Sequence, residues 1–388
     1  MKAIRTIKLK VSGSTKADGL VAVWLRAANW LSQIVFKTGD LNSNRLAKAH
    51  YARLREFGLP SQLACSLCKV VCATYKTAKS NKRWREAAFT RPVMPVVWKR
   101  DFNRTRKGCT LWGELLTVED SRPLPEGAWK DSRLKRTGSQ WYLLLSHEVE
   151  VPEPKDFGCI VGVDMGLKRM LVATNSANSK TFFFHGGALN HRRTCIRRTR
   201  AAIQSVATRS SRRLLRRMSE REGRITGHLL HVASKALVGY AAEAGARKIV
   251  VEELENIRDG SLSKGKDLRS KIHRWPFADM RFKIAYKAAA AGIELEAVSP
   301  RNTSRGCNAC GHVSASNRNG LHFQCQKCGH REDADRHASK NIRARSVSVE
   351  HNSAETGSLN APRKLGTVEI GSGSCVLHGD SVSVEVHG

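Results

Sequence analysis

The chain has 388 residues, 41% of them hydrophobic, enough for two or three domains with real cores. Lys and Arg number 67 against 34 acids, a net charge of +33, which goes beyond a merely solvated surface and points to a polyanionic partner, because basic side chains gain affinity by releasing phosphate counterions. The apolar runs look too short for a bilayer, and the start Met1-Lys2-Ala3-Ile4-Arg5 lacks the apolar region of a signal peptide. A soluble, cytoplasmic protein with no membrane partner is therefore expected, its eleven cysteines serving as reduced thiols and metal ligands rather than disulfides.

Residues 2 to 12 alternate imperfectly and predict a half-buried strand. From Gly19 to Lys37, Val21, Leu25, Ala28, Leu31 and Ile34 recur at helical spacing. A second helix is expected over Ser43 to Glu56. Gly58-Leu59-Pro60 breaks it, and Ser61 then caps a third helix reaching Trp84. Cys65, Cys68 and Cys72 on that helix fall at i, i+3 and i+7, a buried stripe rather than a metal site. Its basic end, including Lys79 and Arg83 beside Trp84, suits phosphate contacts. After Thr90 the runs Val93 to Val97, Leu111 to Leu116 and Trp141 to Leu145 read as short strands between Gly, Pro and Asp turns. They predict a small β-barrel-like unit that also takes in the first strand. Residues 13 to 88 become a helical insertion, and Pro152-Glu153-Pro154 a linker.

Cys159 to Asp164 is an apolar strand ending in an acid, followed by strands at Met170 to Thr174 and Thr181 to Phe184. A helical region from about Asn190 to Gly245 is crowded with arginines, Arg197 and Arg213 among them, and predicts a nucleic-acid face. Lys248 to Leu254 is another apolar strand running into acid, at Glu252. A helix over Trp275 to Ala291 and a strand over Ile293 to Val298 follow. Cys307/Cys310 and Cys325/Cys328 are two Cys-x-x-Cys knuckles, each followed by Gly, with fourteen residues between the pairs. That spacing predicts one structural zinc ion in tetrahedral thiolate coordination. Asp333-Ala334-Asp335 opens a last helix. Residues 346 to 388 are rich in Ser and Gly: Arg363 and Lys364 face Glu350, Glu355, Glu369, Asp380 and Glu385, and a mostly disordered tail is expected.

Asp164, Glu252 and Asp335 carry the chemistry in this reading. Carboxylates brought together raise one another's pKa unless cations join them. Magnesium prefers such oxygen ligands, and two ions about 3.5–4 Å apart activate a water and stabilise the leaving oxygen of a phosphodiester.

V-G-V-D-M-G, I-V-V-E-E-L, T-S-R-G-C-N-A-C-G, C-Q-K-C-G and D-A-D-R-H-A-S-K-N-I resemble the motifs of the TnpB family, transposon-encoded RNA-guided DNA endonucleases ancestral to type V CRISPR effectors. The resemblance is specific from about Cys159 to Ala344 and covers only layout before that. It implies a multidomain α/β protein: a RuvC nuclease domain of RNase H-like fold (156–302 and 331–345) with a zinc-ribbon insertion (303–330), a β-barrel-like wedge domain (1–12 and 89–155) carrying a helical recognition insertion (13–88), and the tail (346–388). It implies a guide RNA and target double-stranded DNA as partners, two Mg2+ at Asp164, Glu252 and Asp335, and a monomer on its RNA. Ser61 and Gln62 become candidates for contacts to a short DNA motif. His337 stands where the family usually has Asn. An RNA-guided repressor without cleavage and an RNA-independent transposase remain open alternatives.

Overall fold

The computed structural model describes residues 2–119, 123–178, 180–254, 265, 269, 272–273, 275–355 and 384–387. Lys2–Glu150 form one compact unit and the described residues from Val151 onward form another.

In the first unit, β1 (Lys2–Val11) pairs along its length with β7 (Gln140–Glu150). The sheet continues through β6 (Trp129–Thr137) to β2 (Val93–Val96) at the edge, where Pro95, which has no N–H to donate, is tolerated. A second antiparallel sheet holds β3 (Phe102–Thr105), β4 (Gly108–Leu111) and β5 (Glu114–Thr117). The expected single run from Leu111 to Leu116 is thus a hairpin. Trp112 and Gly113 both take positive φ, 47° and 90°, the mirror-image turn that matches strand twist; a Trp in place of the usual Asn hid it.

Three helices lie between β1 and β2 in sequence: α1 (Thr15–Thr38), α2 (Ser43–Glu56) and α3 (Ser61–Ser80). Helix α1 starts earlier than its apolar spacing suggests, because Ser14 accepts a hydrogen bond from the Ala17 amide. By length and composition α1 could cross a bilayer, against the expectation that no segment could. Its Trp24, Leu31 and Val35 are instead buried in the core with Leu67, Val71 and Tyr75 of α3 and Leu143 of β7. Cys68 and Cys72 belong to the same core, and burial pushes the Cys68 thiol up to about 12; Cys65, the third member of the expected stripe, is only half-buried. Ser61 does not cap α3: Pro60 holds the N-cap position without a side-chain hydrogen bond, and Ser61 is the first helical residue. The helix stops at Ser80, before Trp84, because Lys82 turns left-handed at φ 52°. Trp84 then folds back against Tyr75 and Phe36.

The second unit is built on one mixed sheet. β8 (Cys159–Asp164), β9 (Arg169–Asn175) and β10 (Thr181–His185) form an antiparallel meander. β11 (Ala246–Glu252) pairs parallel with β8, and β12 (Glu294–Val298) parallel with β11. The central strands are apolar throughout because both faces are covered. Val161, Val163, Ile249 and Val251 face a core with α5 (Arg209–Glu243) and α6 (Phe277–Ala290). Ile160 and Val250 face the opposite side, with Ile342 of α7 (Ala334–Glu355). The arginine-rich region divides into α4 (Gly187–Val206) and α5 at Ala207, whose φ is 53°. The expected disordered tail is partly structured: residues 346–355 continue α7, and β13 (Val384–His387) adds to β10. Residues 356–383 lie outside the described residues.

Candidate active site

Strand register sets two acids side by side. Val163 is paired with Val251 across the parallel β8–β11 ladder, so the next residues, Asp164 and Glu252, end neighbouring strands together. They share the parity of Ile160 and Val250 and therefore face α7. Glu252 is buried while its neighbour Glu253 is exposed, which separates the two acids of that motif.

Asp335 reaches the pair through close helix-on-strand contact. Gly162 lies against α7 with no side chain between them: a Cβ there would strike the Ser339 carbonyl oxygen and come within 2.7 Å of Arg343 Cβ. Thr174 and Ser339 hydroxyls bond alongside at 3.0 Å. One helical turn back from Ser339 is Asp335; two strand residues on from Gly162 is Asp164. The two steps, about 5.4 Å and about 6.6 Å, run in the same direction and bring the acids into one neighbourhood. Asp333 has a different task. Its Oδ1 accepts from the Asp335 and Arg336 amides at 3.1 and 3.0 Å, capping α7.

All three acids are at most 9% exposed. Burial, then the charges of Glu252 and Asp335, push the Asp164 carboxyl well up. Burial also raises Glu252, against the opposing hydrogen bond from the Thr303 hydroxyl and the charges of Arg345 and Arg318. Asp335 is held by Arg318, whose Nη2 donates to Oδ1 at 2.7 Å, while Arg169 Nη1 lies 3.5 Å from its Oδ2 and 2.6 Å from Asp333 Oδ2. Among the described residues, ligand atoms all within 4.8 Å of one another occur at the four cysteines and at His330, Glu332 and His337, not at these carboxylates. Like charges repel, and the guanidiniums draw Asp335 toward themselves. Three buried carboxylates, with Asp164 and Glu252 pushed up by burial, nonetheless fit divalent cations, whose charge offsets the repulsion.

The sulfurs of Cys307, Cys310, Cys325 and Cys328 do converge. Cys307 and Cys328 are 3.7 Å apart, and Cys310 and Cys325 3.5 Å, against a tetrahedral edge of about 3.8 Å for thiolates 2.3 Å from zinc. Gly311 and Gly329 take φ of 74° and 73°, closing each knuckle so that their amides reach the Cys307 and Cys325 carbonyls. Backbone amides of Cys328 and Lys327 pull the Cys325 thiol down to about 6, favouring the thiolate.

His330, Glu332 and His337 form a second convergence. Glu332 is already paired with Lys340 and, at 3.2 Å, with Arg336, so the cluster ties the ribbon to α7 in a cationic setting that opposes a metal ion. His337 lies in this joint, fully buried and stacked on Phe323 at 3.6 Å, its Nε2 2.9 Å from the Gly306 carbonyl. It is not turned to the acids.

Lys79, Arg83, Arg197 and Arg213 are exposed. Ser61 is exposed, and Gln62 is half-buried with its carbonyl accepting from Arg100 at 2.8 Å. Sequence reasoning missed Arg318, Arg169 and Thr303, which meet the acids only across long sequence separations.

Two family models match: OrfB_IS605, "Probable transposase", over residues 144–258, and "Cas12f1-like, TNB domain" over residues 277–342. The CRISPR-associated endodeoxyribonuclease Cas12f1 of Syntrophomonas palmitatica is 28% identical over 208 residues, 49% of this chain and 40% of that one. The TnpB-like protein MJ0751 of Methanocaldococcus jannaschii is 34% identical over 151 residues, 39% of this chain and 51% of its own length. The chain thus spans about half the length, or less, of these relatives. A solved Cas12f1–sgRNA–target DNA complex overlaps loosely, with 20% identity and a TM-score of 0.41 over 88% of this chain and 98% of that one. Asp164, Glu252, Asp335 and the four cysteines all fall within the matched segments, and over those segments the chain is similar to TnpB-like and Cas12f1 proteins.

Proposed function

We propose that this protein is an RNA-guided DNA endonuclease that hydrolyses phosphodiesters at Asp164, Glu252 and Asp335. The observation that carries the reading is the shared register of Asp164 and Glu252 at the ends of β8 and β11, facing the helix that bears Asp335. The sheet order β12-β11-β8-β9-β10 supports an RNase H-like RuvC domain, with the four-cysteine ribbon, holding zinc, inserted between β12 and α7. Magnesium held by the three acids would supply an activated water and neutralise charge at the leaving oxygen. The protein's own part is to orient the carboxylates: Thr303 bonds Glu252, Arg318 holds Asp335, and Asp333 fixes the start of α7. The net charge of +33 and the exposed arginines of α4 and α5 support a nucleic-acid grip; relatives named CRISPR-associated endodeoxyribonucleases support DNA as a partner, and one named putative RNA-guided DNA endonuclease InsQ supports a guide RNA. In this division of labour base pairing reads the target while the protein holds the duplex by its backbone. The wedge and recognition roles of residues 1–12 with 89–155 and of 13–88 belong to the same proposal, as do Ser61 and Gln62 at the DNA motif.

The test is Asp164→Ala in the chain purified with its co-expressed transposon RNA. Guided DNA binding should persist and cleavage should stop; cleavage at the wild-type rate would refute the assignment. The description "Probable transposase" favours a second reading, strand transfer without RNA. Sequencing the co-purified RNA separates them, since only random cellular RNA would come down with a transposase of that kind.

A further inference from the structure

We infer that Thr303 is a positioning residue for Glu252, and that through it the metal ribbon and α7 set the aim of that carboxylate. The inference rests on the nuclease reading above. Thr303 follows the end of β12 by five residues, in the loop leading to Cys307. Its hydroxyl donates to Glu252 Oε1, with the Pro300 carbonyl 3.0 Å away as the alternative acceptor. A hydroxyl has one proton, and the carboxylate is the stronger acceptor. Thr303 is 1% exposed and Glu252 8%, so water does not compete for either group. A β-branched side chain has few χ1 choices; with its methyl sealed in, the direction of the hydroxyl follows the loop backbone.

That backbone is fixed from both sides. Asn341 of α7, on the helix that carries Asp335, donates through Nδ2 to the Thr303 and Gly306 carbonyls, each at 2.8 Å. His337 Nε2 meets the same Gly306 oxygen at 2.9 Å. From the ribbon, Asn317 donates to the Arg305 carbonyl at 2.9 Å. Asn302 turns the loop at φ 62°, a conformation Asn tolerates better than most residues. The loop is therefore a bracket between the cysteine knuckles, the Asp335 helix and Glu252. The same bracket explains His337: its ring holds loop to helix.

The experiment compares wild type with Thr303→Val, which keeps the shape and removes the hydroxyl, and Thr303→Ser, which keeps the hydroxyl. Manganese binding to the zinc-loaded protein, followed by electron paramagnetic resonance without nucleic acid, is the first readout. Guided cleavage against Mg2+ concentration is the second. Loss of a partner that orients a metal ligand costs roughly 10–100-fold in affinity. Thr303→Val should weaken Mn2+ binding by about that factor and raise the Mg2+ needed for half-maximal cleavage, with guided DNA binding unchanged, and Thr303→Ser should recover most of both. Wild-type Mn2+ affinity in Thr303→Val, or failure of Thr303→Ser to recover it, would overturn the role. Should Thr303→Val not fold, Thr303→Ala makes the same comparison. If wild type binds Mn2+ yet never cuts guided DNA, the nuclease reading fails while the binding arm still decides Thr303.

Discussion

Gly162 and Ser339 touch with nothing between them: the α7 backbone rests on β8 at the one residue of that strand lacking a side chain. The contact sets how far Asp335 stands from Asp164. Gly162→Ala must push the helix away, and overpacking of this kind costs about 1–3 kcal/mol. The expected outcome is a lower urea midpoint together with a loss of guided cleavage larger than the loss of folded protein explains. Full cleavage in a destabilised Gly162→Ala variant would show that Asp335 does not depend on this spacing.

The arginine rows of α4 and α5 make a quantitative prediction about salt. Arg197 and Arg213 are exposed on consecutive helices. If each neutralises one phosphate, the double substitution Arg197→Ser/Arg213→Ser should flatten the slope of log affinity against log salt by about 1.8 on a B-form duplex and less on a single strand. Filter binding across a salt series measures it. An unchanged slope would move the nucleic-acid path elsewhere on the protein.

The acids were legible in the sequence because strands covered on both faces read as apolar runs, and an apolar run stopping at Asp164 or Glu252 marks the polar end of a buried strand. The knuckles were legible because ligand spacing is local. Thr303, Arg318 and Arg169 were not, since each meets its carboxylate across 17 to 166 residues. Local turn chemistry also misled: Pro60 rather than Ser61 precedes α3, and Trp112 occupies a left-handed turn position usually given to Asn. His337 stands two residues after Asp335, where its position in the sequence alone suggests a place beside the three acids. The structure places it about 200° round the helix from Asp335, against Phe323.

Removing the ribbon's ligands should be felt beyond the ribbon. Cys307→Ser/Cys325→Ser takes away two of four converging thiolates, and zinc binding of this type is coupled to folding. Elemental analysis should find about one zinc per wild-type chain and none in the variant. Because Gly306 and Thr303 lie just before Cys307, hydrogen exchange should also quicken at residues 299–306. Unchanged metal content would count against the site; lost zinc with unaltered exchange there would uncouple ribbon from loop.

Glu332 supplies an acid-sensitive lock between ribbon and helix. Burial alone would raise its carboxyl, but hydrogen bonds from His337 and Lys340 and the charges of Lys340 and Arg336 outweigh it and hold the group at about 2, against an ordinary 4.5. A depressed acid contributes stability that is complete above 4.5 and is lost as pH falls toward 2. The side chain is only 9% exposed, so solvent screening takes little of the effect, of order 3 kcal/mol at neutral pH. Glu332→Gln should therefore lower unfolding stability by a few kcal/mol at pH 7, with less than half of the deficit remaining at pH 3 (roughly, from the same linkage). Urea melts of variant and wild type, matched at each pH so that acid release of zinc is common to both, provide the comparison. A deficit equal at pH 7 and pH 3 would mean that Glu332 acts through shape and hydrogen bonding alone, and that its charge contributes nothing to holding the Asp335 helix on the ribbon.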